Sequence, residues 1–285
     1  MDSRALNLAG GLVVATLMLV GCGNNDAGSS AIAGDTVFAE GFETGTLAAW
    51  TDGVDPARHR IVEDSSGAHS GRHYLEVTYP ASADGGWLTH FFLPGYDSLY
   101  VSVWVRFPDS WKSDSKLLAL YGSRTDNQWS AFGQAGKCPV GNDFFAAMVV
   151  SEQSATTGAG PLRFYTYYPA MAREPDGVTC YGRFGDGRET YTPAALSPNA
   201  WHHIEFCVRL NTPGKADARQ AFLVDGVRRG AWSGFSFRDS PILRLNAVQL
   251  TFSRGLSGRA PAQQLLVDDV AVRSTQPNPC QVAGF

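Results

Sequence analysis

Short runs in which every second side chain is apolar follow one another along most of the chain, with Gly, Pro, Asn and Asp between them. A two-residue period belongs to strands that keep one face on a core and turn the other outward. The run LYVSVWVRF, starting at Leu99, sends Val101, Val103, Val105 and Phe107 one way and Tyr100, Ser102, Trp104 and Arg106 the other. In WHHIEFCVRLN, from Trp201, Ile204, Phe206, Val208 and Leu210 share a face, and His203, Glu205, Cys207 and Arg209 share the opposite one. AFLVDG, from Ala221, ends in Asp225-Gly226, a common hairpin pair. Further strands are predicted near 73–79, 87–93, 144–151, 162–168, 246–253 and 264–272, and no long amphipathic helix is evident. No charge run or low-complexity stretch divides this series. The pattern predicts one all-β domain over residues 35–285, a β-jelly-roll sandwich of two antiparallel sheets.

The first 34 residues do not follow that pattern. An arginine precedes an apolar stretch from Leu6 to Val20, too short for a permanent span, so residues 1–21 read as a signal peptide. Its end, Leu19-Val20-Gly21-Cys22, resembles the bacterial lipobox, which implies acylation of Cys22 after cleavage. Residues 22–34 then form a polar tether too poor in apolar residues to fold. The expected location is the bacterial cell envelope, lipid-anchored, periplasmic or surface-exposed, with the membrane contacted only through the lipid.

A net charge of −4 with scattered Lys and Arg argues against nucleic acid as a partner, and a monomer is expected. Besides Cys22 there are Cys138, Cys180, Cys207 and Cys280, an even number in an exported chain, which favours two disulfides. Of three pairings, 138–180 and 207–280 are preferred, the first stapling two loops and the second tying the tail to a strand. The spacings are too wide for a C-x-x-C metal site.

One apolar run is ambiguous. DSKLLALYGS, residues 114–123, places Lys116 at the mouth of a Leu, Ala and Tyr stretch, either as a strand-end charge guarding a sheet edge or as a base aimed into a groove. KLLALYG, then FYTYY from Phe164, then WHHIEFCVRLNTPGKADARQAFLVDG resemble, in that order, the jelly-roll polysaccharide lyases of the alginate and glucuronan lyase group and the lyase-like core proteins secreted by fungi. The likeness spans about residues 37–273. It implies β-elimination on an acidic polysaccharide: a lysine or tyrosine takes the C5 proton of a uronate, cationic or amide groups neutralise its carboxylate, and a tyrosine protonates the leaving oxygen. By that resemblance Lys116 is the base and Tyr165 and Tyr167 the phenol pair. Arg163 shares their strand face and, with partial desolvation, is expected to lower the lysine's pKa. The Ser-x-Arg pair expected on a neighbouring strand is replaced by FFAAMVV, residues 144–150, with Arg163 or Arg106 as its substitute. Trp104, Arg106 and Tyr100 are candidate substrate-binding residues. The plainer alternative is that the tyrosines merely pack on a pleated face and that the chain only binds carbohydrate or is a structural surface protein.

His90, His202 and His203 form no metal motif, and adjacent His202 and His203 face opposite sides of a strand. Asp186 and Glu189 form an acid pair in a Gly-rich loop without a recognisable groove partner. FAEGFETGTLAAW near the start and LLVDDVAV near the finish resemble segments that meet around a structural Ca²⁺ in many carbohydrate-binding jelly rolls. Glu43, Asp268 and Asp269 are the candidate ligands; otherwise these acids cap turns.

Overall fold

The computed structural model describes residues 35–153, 159–182, 196–254 and 261–274. The leader, the tether, Cys22, Asp186, Glu189 and Cys280 lie outside the described residues. The described residues all belong to one compact unit spanning Ile32–Phe285.

Thirteen strands follow in order: β1 Asp35–Glu40, β2 His59–Glu63, β3 His73–Tyr79, β4 Trp87–Tyr96, β5 Ser98–Arg106, β6 Ser115–Arg124, β7 Phe145–Gln153, β8 Ala159–Tyr167, β9 Trp201–Arg209, β10 Ala218–Val224, β11 Val227–Phe235, β12 Leu243–Thr251 and β13 Gln263–Ser274. They form two antiparallel sheets. The larger runs β11-β10-β9-β5-β13-β3-β2, with β1 also paired to β13; the smaller runs β4-β12-β6-β7-β8. This is the predicted all-β jelly-roll sandwich. Strands β3, β4, β5, β7, β8, β9, β10, β12 and β13 lie where the pattern places them, within a few residues at their ends. The Asp225-Gly226 pair turns the β10–β11 hairpin, with both residues at positive φ, the conformation a two-residue turn requires.

The core forms where the inner faces meet. Leu99, Val101, Val103 and Val105 of β5 and Ile204, Phe206 and Val208 of β9 are fully buried or nearly so. Phe164 of β8 crosses from the small sheet to touch Phe206, Phe222 and Trp232 at ring-centroid distances of 5.2–5.8 Å. Polar groups caught between the sheets are paired: Tyr79 with Ser115 at 2.7 Å, and Thr166 Oγ1 donating to Gln220 Oε1 at 3.0 Å. Those bonds offset the cost of placing hydroxyls in an apolar layer.

Cys138 and Cys180 form the expected disulfide. It joins the loop between β6 and β7 to the segment after β8. Cys207 is also disulfide-bonded; its expected partner, Cys280, is outside the described residues.

Candidate functional site

The outer face of the small sheet brings the lysine and the phenols together. Directly opposed residues of neighbouring strands share a face, and three rows can be read across this one. Lys116 stands opposite Val150, and Val150 opposite Arg163. Next come Thr89, Gln249, Ala119, Met148 and Tyr165, and then Phe91, Ala247, Tyr121, Ala146 and Tyr167. Two inter-strand steps separate Lys116 from Arg163, about 10 Å of backbone, a gap that long side chains on both sides narrow.

A β-bulge puts Lys116 there. Leu118 and Leu120 face the core, and strict alternation would turn Lys116 into the core with them. Between Lys116 and Leu118, however, β6 spends two residues against one step of β7, because Lys116 opposes Val150 and Leu118 opposes Val149. The extra residue resets the parity of the strand. Ser115 then faces inward to Tyr79, and Lys116 faces the groove. Strand β6 lies between β12 and β7, inside the sheet, so Lys116 guards no edge.

The electrostatics separate the roles. Burial holds the Lys116 ammonium below its usual range, while Asp84 and Asp114 push the other way. Of the two causes expected, a nearby Arg163 cation and partial desolvation, desolvation is the one that lowers it. Burial drives the Tyr165 phenol upward, and its neighbour Tyr167 reinforces this; the two hydroxyls lie 3.3 Å apart. Tyr121, also raised chiefly by burial, donates to Gln249 Oε1 at 3.3 Å, and Gln249 Nε2 donates to Thr89 Oγ1 at 2.9 Å. On one sheet face, then, a lysine is biased towards its neutral form and the Tyr165 phenol towards its own, the protonation states of a base and an acid.

Among the side chains described, β7 contributes Ala146, Met148 and Val150 to this face, all apolar, where the resemblance expects the Ser-x-Arg pair. Arg163 is the arginine of these rows. The rim is aromatic. Trp87, 48 % exposed, and Trp129, 47 % exposed, flank the floor. Trp129 packs edge-on against Phe91 at 4.8 Å and against Phe132 at 5.5 Å, and Phe132 contacts Tyr121 at 4.6 Å. Neither tryptophan belongs to an alternating run that marks it, and Gln249 and Tyr121 acquire their place only through strand pairing.

Trp104, Arg106 and Tyr100 lie elsewhere, on the outer face of the large sheet, with the whole core between them and Lys116. A saccharide in the Lys116 groove cannot touch them, and Arg106 cannot stand in for the missing arginine. Trp104 is sandwiched between His69 and His203 at centroid distances of 3.6 and 4.6 Å. Tyr100 donates to Glu205 Oε1 at 2.6 Å. His90 packs on Phe38 at the core side, and His202 is held by Asp225 and the Ser197 carbonyl.

Glu43, Asp268 and Asp269 all hold the segment from His69 to His73. Glu43 Oε1 accepts the amides of Arg72 and His73; Asp268 Oδ2 accepts those of His69 and Ser70; Asp269 meets His69 Nδ1 at 2.6 Å and Ser70 Oγ at 3.0 Å. Asp268 is 0 % exposed, and burial, with the Asp269 carboxylate second, raises its pKa to about 6. No lysine or arginine forms a salt bridge with either aspartate among the described residues. The uncompensated charge suits a cation. A closed cage is not formed, since no group of three His, Cys, Asp or Glu side chains converges among the described residues.

No protein-family model and no curated protein matches this sequence. Solved structures do match its shape. The PL-14 alginate lyase from Aplysia kurodai superposes with a TM-score of 0.64 at 15 % identity, over 85 % of this chain and all of the other. Alginate lyase Aly36B, as a double mutant in complex with an alginate tetrasaccharide, gives 0.58 at 15 %, over 80 % and 86 % of the two chains. The endo-β-1,4-glucuronan lyase from the fungus Trichoderma reesei gives 0.54 at 15 %, over 85 % and 96 %. In architecture, this chain has the jelly-roll fold of the alginate and glucuronan lyases.

Proposed function

We propose that the protein binds an acidic polysaccharide across the outer face of the small sheet and cleaves it by β-elimination at a uronate. The observation that carries this reading is the assembly of Lys116, Arg163, Tyr165 and Tyr167 on one face, with Lys116 brought there by a bulge. Lys116, desolvated and biased towards the amine, takes the C5 proton. Arg163 and the Gln249 amide are the groups on this face able to neutralise the uronate carboxylate, without which the C5 proton is too weakly acidic to remove. The hydrogen-bonded phenol pair of Tyr165 and Tyr167 donates a proton to the departing glycosidic oxygen, so that the C4–O bond breaks as the C4–C5 double bond forms. Trp87 and Trp129 give flat apolar surfaces on which sugar rings stack. The fold supports this reading, as does the tetrasaccharide held by a relative of the same shape.

The decisive experiment follows absorbance of the unsaturated uronate product with alginate, glucuronan and pectin-like polymers as separate substrates. Rising absorbance on one of them, abolished in Lys116→Ala, is the expected result. Binding without any product would assign the groove to carbohydrate retention alone, a reading favoured by the apolar β7 face.

The proposal includes attachment to the cell envelope by acyl chains on Cys22. Mass spectrometry of the mature protein should find a diacylated cysteine at its N-terminus, and an unmodified terminus elsewhere would remove the anchor. It also includes Ca²⁺ as a structural ion beside Asp268 and Asp269, where it would neutralise two adjacent carboxylates, the first of them buried.

A further inference from the structure

The outer face of the large sheet holds an open cavity of about 530 Å³ bordered by Tyr74, Glu76, Thr78, Arg106, Asn199 and Gln264. It lies across the sandwich from the Lys116 groove. Its chemistry is one aromatic ring, several amides and hydroxyls, and one cation. The carboxylate of Glu76 is already engaged by Arg60 at 2.7 Å, and Arg106, with the Asp64 carboxylate also in its field, is the cation among the lining residues.

Arg106 differs from several other arginines of the chain. Arg60, Arg124 and Arg238 each grip a carboxylate at 2.6–2.7 Å. Arg106 makes no salt bridge among the described residues. Its guanidinium lies over the Trp201 ring at 5.5 Å and spends one donor on the Gly67 carbonyl at 3.2 Å, an oxygen that Trp201 Nε1 also reaches at 3.2 Å. A guanidinium held over an indole and hydrogen-bonded to a carbonyl keeps its place, and its remaining donors form the planar fork that fits a carboxylate. A second group in the wall is under-used. Gln263 is 7 % exposed and accepts the Lys112 amide through Oε1 at 2.7 Å, while its Nε2 has no partner. A buried amide donor without an acceptor is costly in a folded chain.

We infer that this cavity is a second glycan site, in which Arg106 takes the carboxylate of a uronate in an acidic oligosaccharide and Tyr74 with the surrounding amides and hydroxyls takes the rest of the sugar. It performs no chemistry and has no base like Lys116. With sites on both faces, the protein holds one long chain twice or two chains together. The inference rests on the proposed function only for the choice of probe.

The test is calorimetric titration of the full chain with an alginate tetrasaccharide, in a Lys116→Ala background so that the probe survives. The expected stoichiometry is two, falling to one in Arg106→Gln. Arg106→Lys, which keeps the charge but loses the fork, should weaken that site about tenfold and guards against misfolding of the first variant, as does an unchanged melting temperature. If the groove binds nothing, the stoichiometry is one, lost in Arg106→Gln and kept in Trp129→Ala; the second site then stands while the groove reading fails. Titrations of Arg106→Gln that match its parent, or equal binding of neutral cellotetraose at the Arg106-dependent site, would overturn the inference.

Discussion

The hydroxyl oxygens of Tyr165 and Tyr167 lie 3.3 Å apart, although residues two apart on a strand are separated by roughly 6.5 Å of backbone. The rings tilt towards each other, at 65° and 5.5 Å between centroids, so one phenol donates to the other. Burial raises the Tyr165 phenol, which makes a tyrosinate base the expensive choice and a neutral proton donor the cheap one. Lys116 is shifted the opposite way. The division of labour between base and acid follows from these two directions.

Lys116→Ala should lower uronate elimination by about a hundredfold or more, the usual scale for loss of a general base, with the melting temperature nearly unchanged. Because the active form is the amine, the wild-type rate should rise with pH through the lowered lysine pKa. Lys116→Arg, which stays charged, should not recover it. Full activity in either variant would return Lys116 to a purely structural place.

Trp129→Ala and Trp87→Ala should each weaken oligosaccharide binding several-fold through lost stacking, on the order of 1 kcal/mol, while leaving the fold intact. Trp87 donates only to Asp52, at 2.9 Å, and both rings are about half exposed. Saturation curves for turnover should show the loss in KM. An unchanged KM in both variants would place the sugar elsewhere on the sheet.

Asp268 makes a pH-dependent contribution whose sign is fixed by its raised pKa of about 6 against an ordinary 3.8. That contribution is fully present below about pH 4 and is lost as pH rises through 6, at most about 3 kcal/mol by linkage. In chelator-treated protein the Asp268 carboxyl carbon should titrate by NMR near pH 6, and near a lower value in Asp269→Asn, which removes the neighbouring charge. Adding Ca²⁺ should raise the melting temperature at pH 7.5 and do little at pH 5. No response at either pH would leave the two aspartates as loop anchors alone.

Replacing Cys138 and Cys180 by serine opens a loop of 42 residues, a cost of about 4 kcal/mol in the chain-entropy model, whose mechanism is disputed. The double variant should melt markedly lower and bind saccharide more weakly, because both tethered segments border the groove. Equal affinity in calorimetry would separate the disulfide from the site.

The sandwich was legible because its core strands obey a period of two without interruption: β5 and β9 can be read residue by residue. Strands β1, β2 and β11 carry no such run. In β6 the run LLAL has no alternation, and the bulge beside Lys116 breaks the parity on which any face assignment depends. Tyr165 and Tyr167, on a regular strand, were placed on the right face. Trp104 and Arg106 were also read correctly as outward, but sequence alone does not say which of two sheets a strand joins, so their separation from Lys116 could not be read. Tyr121, Gln249 and Trp129 depend on pairings between strands distant in sequence.

The bond between Cys138 and Cys180 has a consequence for the groove. Cys180 is fully buried and packs in the core with Cys138 against it, so the bond ties the two segments beside the groove to the interior of the sandwich, and they reach their final separation only when the sulfurs are oxidised. A chain whose sulfurs are reduced would hold these two segments less firmly, so the shape of the groove would depend on the redox state of its surroundings.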